Sequence, residues 1–246
     1  MGARAGDAGR RGGAGTNPCL TAGRGTGSSA RPQFQPQGAR TSRERLVDAQ
    51  EVLQRFLIVC EGAKTEPNYF NGFRVPQLVV DAVGTGHNTL SPVEEAIRLK
   101  GEKEAEARRR GRPPYDQIWC VFDRDSFDAD DFNNAICQAE AAGFHVAYTN
   151  EAFELWYLLH FDDHRAALHR SQYYGMLTER LGHGYRKNSR TMYADLLNQQ
   201  EEAIRRAESL LAEHGANHNP QQDNPCTKVH LLVKALRENS SPRTHG

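Results

Sequence analysis

The chain has no apolar run near the roughly 20 residues a helix needs to cross a bilayer. It has no net charge either, with 31 Lys+Arg against 31 Asp+Glu. That excludes a global basic field, so a nucleic-acid partner has to be held by a local patch. The start, "MGARAGDAGRRGGAGTNPCL", is basic but lacks the apolar stretch of a secretory signal. The five cysteines (Cys19, Cys60, Cys120, Cys137 and Cys226) are scattered and never spaced as C-x-x-C. This pattern points to a reducing compartment, the cytoplasm. Phosphate-loop motifs are missing too. "GAKT", 62–65, has one glycine and no second one before Lys64, where a Walker loop needs several backbone N–H groups around the phosphates.

Residues 1–46 are rich in Gly, Arg, Ala, Ser, Pro and Gln. They have too few aliphatic residues to offset the entropy of ordering, and are read as a disordered tail. From 47 onward a different pattern begins. "LQRFLIVC", "QLVVDAV", "DQIWCVFDRD" and "FHVAYTN" read as four strands. Helical stretches separate and follow them at 65–74, 91–110, 129–142 and 151–161. The second starts with a Ser91-Pro92-Val93-Glu94 capping box. Alternation of this kind implies an α/β domain over 47–165, with a parallel β-sheet flanked by helices. Residues 166–246 read as a helical C-terminal extension on the same domain, with helices at 171–181, 190–214 and 227–238.

In such sheets ligands gather outside the carboxyl ends of the strands. Glu61 ends the first strand, and Asp123 and Asp125 end the third. Residues i and i+2 of an extended chain point to one face, so both aspartates project together while Arg124 points away. Adjacent strands lie about 4.8 Å apart, so Glu61 joins the aspartates if the first and third strands are neighbours. Like charges this close need neutralising. Mg²⁺ or Mn²⁺ would do so through oxygen ligands, with substrate phosphates completing the shell. That suits phosphodiester chemistry. The bland alternative is helix capping, for which Asp128 and Asp130 are also available.

Lys64 reads as a phosphate contact or as a solvated lysine at a helix start. Glu66 is a further carboxylate or a favourable charge at a helix N-terminus. Glu154 lies in an otherwise apolar helix, where a carboxylate is costly unless paired or metal-bound, so it is a site residue or the partner of an arginine. Asn150 reads as the cap of that helix, and His160 as a core histidine. His214 and His218 are four apart, but the surrounding Gly and Asn-Pro make a zinc site improbable. "GYRKNSR", 184–190, and "RRRGR", 108–112, are local basic patches suited to backbone phosphates.

"IVCEGAKTEPNYF", "WCVFDRD", "NEAFELWYLLHF" and "NPCTKVH", in this order over 52–238, resemble the RloB family, small bacterial proteins encoded beside restriction-modification genes. The resemblance implies a Toprim-like fold, as in topoisomerases, primases and OLD-type nucleases. Carried over, Glu61 is the Toprim glutamate and Asp123 and Asp125 its Asp-x-Asp. In "NPCTKVH", Asn224 and Thr227 read as helix caps, and the match of this run to the family motif implies that His230 or Lys228 faces the site. The implied activity is a Mg²⁺- or Mn²⁺-dependent nuclease acting on RNA or DNA, in phage defence and with a defence-system partner protein. A non-catalytic binding subunit and a nucleotidyl transferase are the competing readings.

Overall fold

The computed structural model describes residues 54–76, 78–86, 92–124 and 131–240. The expected tail at 1–46, the Ser91 cap and Asp125, Asp128 and Asp130 lie outside the described residues.

Four strands, β1 (Gln54–Cys60), β2 (Leu78–Gly84), β3 (Gln117–Asp123) and β4 (His145–Thr149), form one sheet in the order β2-β1-β3-β4. All pairings are parallel. Buried on both faces, β1 and β3 read as nearly unbroken apolar runs, as covered parallel strands do. β2 is an edge strand, and only its first residue is fully buried.

Helix α1 (Thr65–Phe70) links β1 to β2. Helices α2 (Pro92–Arg109) and α3 (Asp131–Ala141) link β2 to β3 and β3 to β4. The right-handed rule for parallel crossovers puts α1 on one face and α2 and α3 on the other, because the chain reverses direction after β2. The core divides accordingly. Leu57, Val59, Cys120 and Phe122 pack with Ala96, Phe132 and Ile136. Phe56, Ile58, Trp119 and Val121 pack on the opposite face with Tyr69 and Phe70.

That second face also carries the C-terminal helices: α4 (Glu154–Leu158), α5 (Arg170–Leu181), α6 (Met192–Leu196), α7 (Gln200–Glu213) and α8 (Val229–Glu238). Tyr69 anchors three of them, α4, α6 and α7. Its ring meets Phe153, Trp156, Tyr157 and Tyr193 at centroid distances of 5.6–6.5 Å, and its hydroxyl accepts from Gln200 Nε2 at 3.2 Å. The runs "NYF" and "FELWYLL" are apolar because they face each other.

Three helices differ from the sequence expectation, and the first, expected at 65–74, ends at Phe70. The helix expected at 190–214 is broken by a 3₁₀ turn at Leu197–Gln199. Buried Met192, Leu196, Gln200, Ala203 and Ile204 keep helical spacing across the break, so the pattern gave no sign of it. The helix expected at 151–161 is α-helical only at Glu154–Leu158. Glu151 has φ of 77°, outside helical geometry, and the exit tightens into i+3 bonds at His160 and Phe161.

Gly84 pairs with Cys60 where β1 gives way to its loop. A Cβ there would lie 2.5 Å from the carbonyl oxygens of Gly62 and Ala63. Since backbone cannot swing aside as a side chain can, Gly84→Ala should cost about 1–3 kcal/mol, read as a lower chemical-denaturation midpoint. A wild-type midpoint would show that the turn after Glu61 is not held against β2.

Candidate functional site

Glu61 follows β1 directly, and its backbone is fixed from both sides. Its N–H donates to Val121 O at 2.9 Å, extending the β1–β3 ladder. Its carbonyl accepts from Gly86 N–H at 3.0 Å and from Thr85 Oγ1 at 3.2 Å on the β2 side. The side chain turns toward β3, where Oε2 accepts the Asp123 N–H at 3.3 Å. Asp123 in turn reaches past β4, and its Oδ2 accepts the Phe153 N–H at 3.1 Å, just ahead of α4. Glu61 and Asp123 thus flank the place where the crossovers part to opposite faces. In doubly wound sheets this is the crevice in which ligands bind.

Two more carboxylates lie beside them. Glu66 and Glu154 are 6% and 2% exposed. The Glu66 carboxyl rests on Gly62, where a Cβ would come within 2.1 Å of its Oε2. That oxygen has no hydrogen-bond partner among the described residues. Burial pushes the Glu66 carboxyl up to about 7, with Glu154 and Glu61 adding to the rise, while the α1 backbone and Lys187 pull it back. Glu154, read as a site residue or as the partner of an arginine, has a tyrosine as its partner: Tyr185 O–H donates to its Oε1 at 2.9 Å. Burial and the Glu154 charge raise the Tyr185 phenol above its ordinary range, so it stays a donor.

Tyr185 belongs to the 184–190 basic patch, which the fold brings to the site. Asn188, at φ of 75°, pins it to α1. Its Oδ1 accepts from Thr65 Oγ1 at 3.2 Å and its carbonyl accepts from Asn68 Nδ2 at 2.8 Å. Arg186, Lys187 and Arg190 are carried along. Lys64 is exposed at the N-cap of α1, at the surface of the site rather than inside it. The 108–112 patch spans the end of α2 and leads toward the amino ends of the strands, where Pro113 O accepts from Arg55, so it stands away from the carboxylates.

Several expectations are revised. Asn150 does not cap α4. Its side chain donates to Pro220 O at 2.8 Å, and Asp123 supplies the acceptor ahead of that helix. "NPCTKVH" runs antiparallel past the end of β4, with Asn150 N–H on Cys226 O and Lys228 N–H on Tyr148 O, both 2.8 Å. Thr227 does serve the α8 start, its Oγ1 accepting from Val229 N–H at 3.2 Å. Lys228 lies over the Tyr148 ring, on the opposite face of the sheet. His230 is buried, lowered to about 4 by burial, and has Glu208, Lys234 and Lys228 as its charged neighbours rather than the site acids. His160 is a core histidine on Trp156 O, lowered by burial to about 4. His214 and His218 flank Asp223, and their other ring nitrogens meet Pro225 O and the Tyr148 hydroxyl, so protein groups occupy both rings.

Nothing in the sequence marked Tyr185 as the cover of Glu154, since the pair is joined across 31 residues of chain. Among the described residues no three His, Cys, Asp or Glu side chains form a ready-made metal cage.

Fold and site define a parallel α/β protein with carboxylates gathered at the carboxyl ends of its two central strands and a basic loop laid beside them. The family model for RloB-like proteins matches residues 56–236, and the chain belongs to the RloB-like family. No curated protein and no solved structure matches the chain.

The Glu66 shift has a direct consequence. An acid whose folded pKa is raised gives stability below its unfolded value, lost as pH rises through the folded value. In chelator, Glu66→Gln should gain stability over wild type as pH rises from about 4.5 to 7, by about 3 kcal/mol. Acid effects of His160 and His230 are common to both proteins and cancel in the difference. A pH-independent difference in thermal unfolding would show that Glu66 is not held in a dry, acidic setting.

Proposed function

We propose that this protein is a Mg²⁺- or Mn²⁺-dependent nuclease of Toprim type, hydrolysing nucleic-acid phosphodiester bonds. The observation that carries this reading is the juxtaposition of Glu61 and Asp123 across the β1–β3 switch point. Their donor set is all oxygen, and Mg²⁺ commonly uses only one or two carboxylates with water and substrate phosphates. Two strand-end carboxylates therefore fit such an ion without a third protein ligand, and Asp125 is the expected addition. When bound, the ion would neutralise the charge on the transferring phosphoryl group and favour ionisation of the attacking water.

The chain's own part is positional. The doubly anchored Glu61 backbone holds that carboxylate still, and Asp123 is steadied by the Phe153 N–H. Glu61 serves as ligand or as general acid/base. The 184–190 loop and Lys64 offer cations to flanking phosphates. Defence against phage, with a partner protein, is the setting implied by the resemblance to restriction-linked proteins.

A second reading, a nucleic-acid- or partner-binding subunit without catalysis, is favoured by one observation. Asp123 and Glu61 already accept backbone N–H groups, so both have structural work.

Purified protein incubated with RNA and DNA panels decides between them. Cleavage should require Mn²⁺ or Mg²⁺, stop in chelator, and fall at least about 100-fold in Asp123→Asn and Glu61→Gln. Cleavage by Asp123→Asn at the wild-type rate would refute the mechanism, and metal-independent binding without turnover would establish the second reading.

A further inference from the structure

At the opposite end of α1 from the acidic site, where the chain leaves that helix and enters the amino half of β2, lies a groove of about 870 Å³. Its floor is apolar, made by Phe73, Val75, Leu78 and Val80, and Asn68 and Asn71 stand at its wall. Arg74 and Arg190 also line it. Both are exposed, and neither makes an ion pair among the described residues. Among the described residues no acidic side chain lines the groove, and Arg74 and Arg190 are its charged groups.

Groove and acidic site are joined by the 184–190 loop. It begins with Tyr185 on Glu154, crosses the first turn of α1 at Asn188, and ends with Arg190 in the groove. α1, six residues long, rises roughly 9 Å from its first turn beside the acidic site to its end at the groove. On the Glu154 side the loop is flanked by Tyr174, 37% exposed, its ring 5.4 Å from that of Tyr185. Cations along a path, an accessible aromatic ring and an apolar floor are what single-stranded nucleic acid uses. Phosphates need the cations, and unstacked base faces need the apolar and aromatic surfaces, which a duplex keeps hidden.

We infer that this groove binds an unpaired stretch of nucleic acid, with Arg74 and Arg190 on its backbone phosphates and a base on the apolar floor, leading along the 184–190 loop to Glu61 and Asp123. The cleavage end of this path rests on the nuclease reading; the binding does not.

Fluorescence anisotropy of the full chain in chelator, with labelled short single-stranded RNA, single-stranded DNA and the matching duplexes, tests it. Single strands should bind more tightly than duplexes, and the RNA and DNA arms identify the preferred sugar. Arg74→Ala/Arg190→Ala should weaken single-strand binding by about tenfold or more and flatten its salt dependence. Arg108→Ala/Arg109→Ala, at the end of α2, should leave both unchanged. Duplex preference, or wild-type affinity in the Arg74/Arg190 variant, would overturn the inference. Parallel assays with Mn²⁺ keep the two readings apart. Arg74- and Arg190-dependent binding without cleavage retains the groove and removes the nuclease. Cleavage with unchanged KM in that variant removes the groove and retains the nuclease.

Discussion

The register of β1 against β3 is the constraint on which the rest depends. Cys60 pairs with Val121, and the next rung is the Glu61 N–H on Val121 O. Because side chains alternate with a period of two, a slip of one residue would turn every apolar residue of β1 to the other face. Both faces are buried here against different helices, so the slip is blocked from either side. With that register fixed, Glu61 meets the Asp123 N–H, and Asp123 reaches the start of α4.

Gathering Glu61, Glu66, Asp123 and Glu154 at one end of a sheet is unfavourable by itself, since burial and like charge both oppose ionisation. The fold offsets this with local devices. Backbone N–H groups face Glu61 and Asp123, a neutral phenol faces Glu154, and Glu66 is left with its carboxyl raised toward neutrality. Each device keeps acid at the crevice rather than removing it. Under the proposed function, that retained acid would serve a cation and an anionic substrate.

Most of the sheet was legible because parallel strands covered on both faces advertise themselves as continuous apolar runs. Glu61 and Asp123 were legible for a related reason, as charges where such runs stop. Their adjacency was not, because strand order is a tertiary property that no local pattern encodes. The 3₁₀ break at Leu197–Gln199 stayed hidden because buried residues kept helical spacing through it. Glu154 read as a site residue or as half of an ion pair because its helix is apolar. Its partner, Tyr185, sits in a loop whose charges drew the eye to phosphates. Asn150 misled in the opposite way: its residue type suits a cap, but the 220–226 segment claims it.

The central claim is that Glu61 and Asp123 together form a cation site at the switch point. Anomalous diffraction from crystals soaked in Mn²⁺ tests it most directly. A peak within coordination distance of both carboxylates, absent from Asp123→Asn crystals, is the expected result. Ordered Glu61 and Asp123 side chains with no peak between them, each still engaged only with backbone N–H groups, would contradict it.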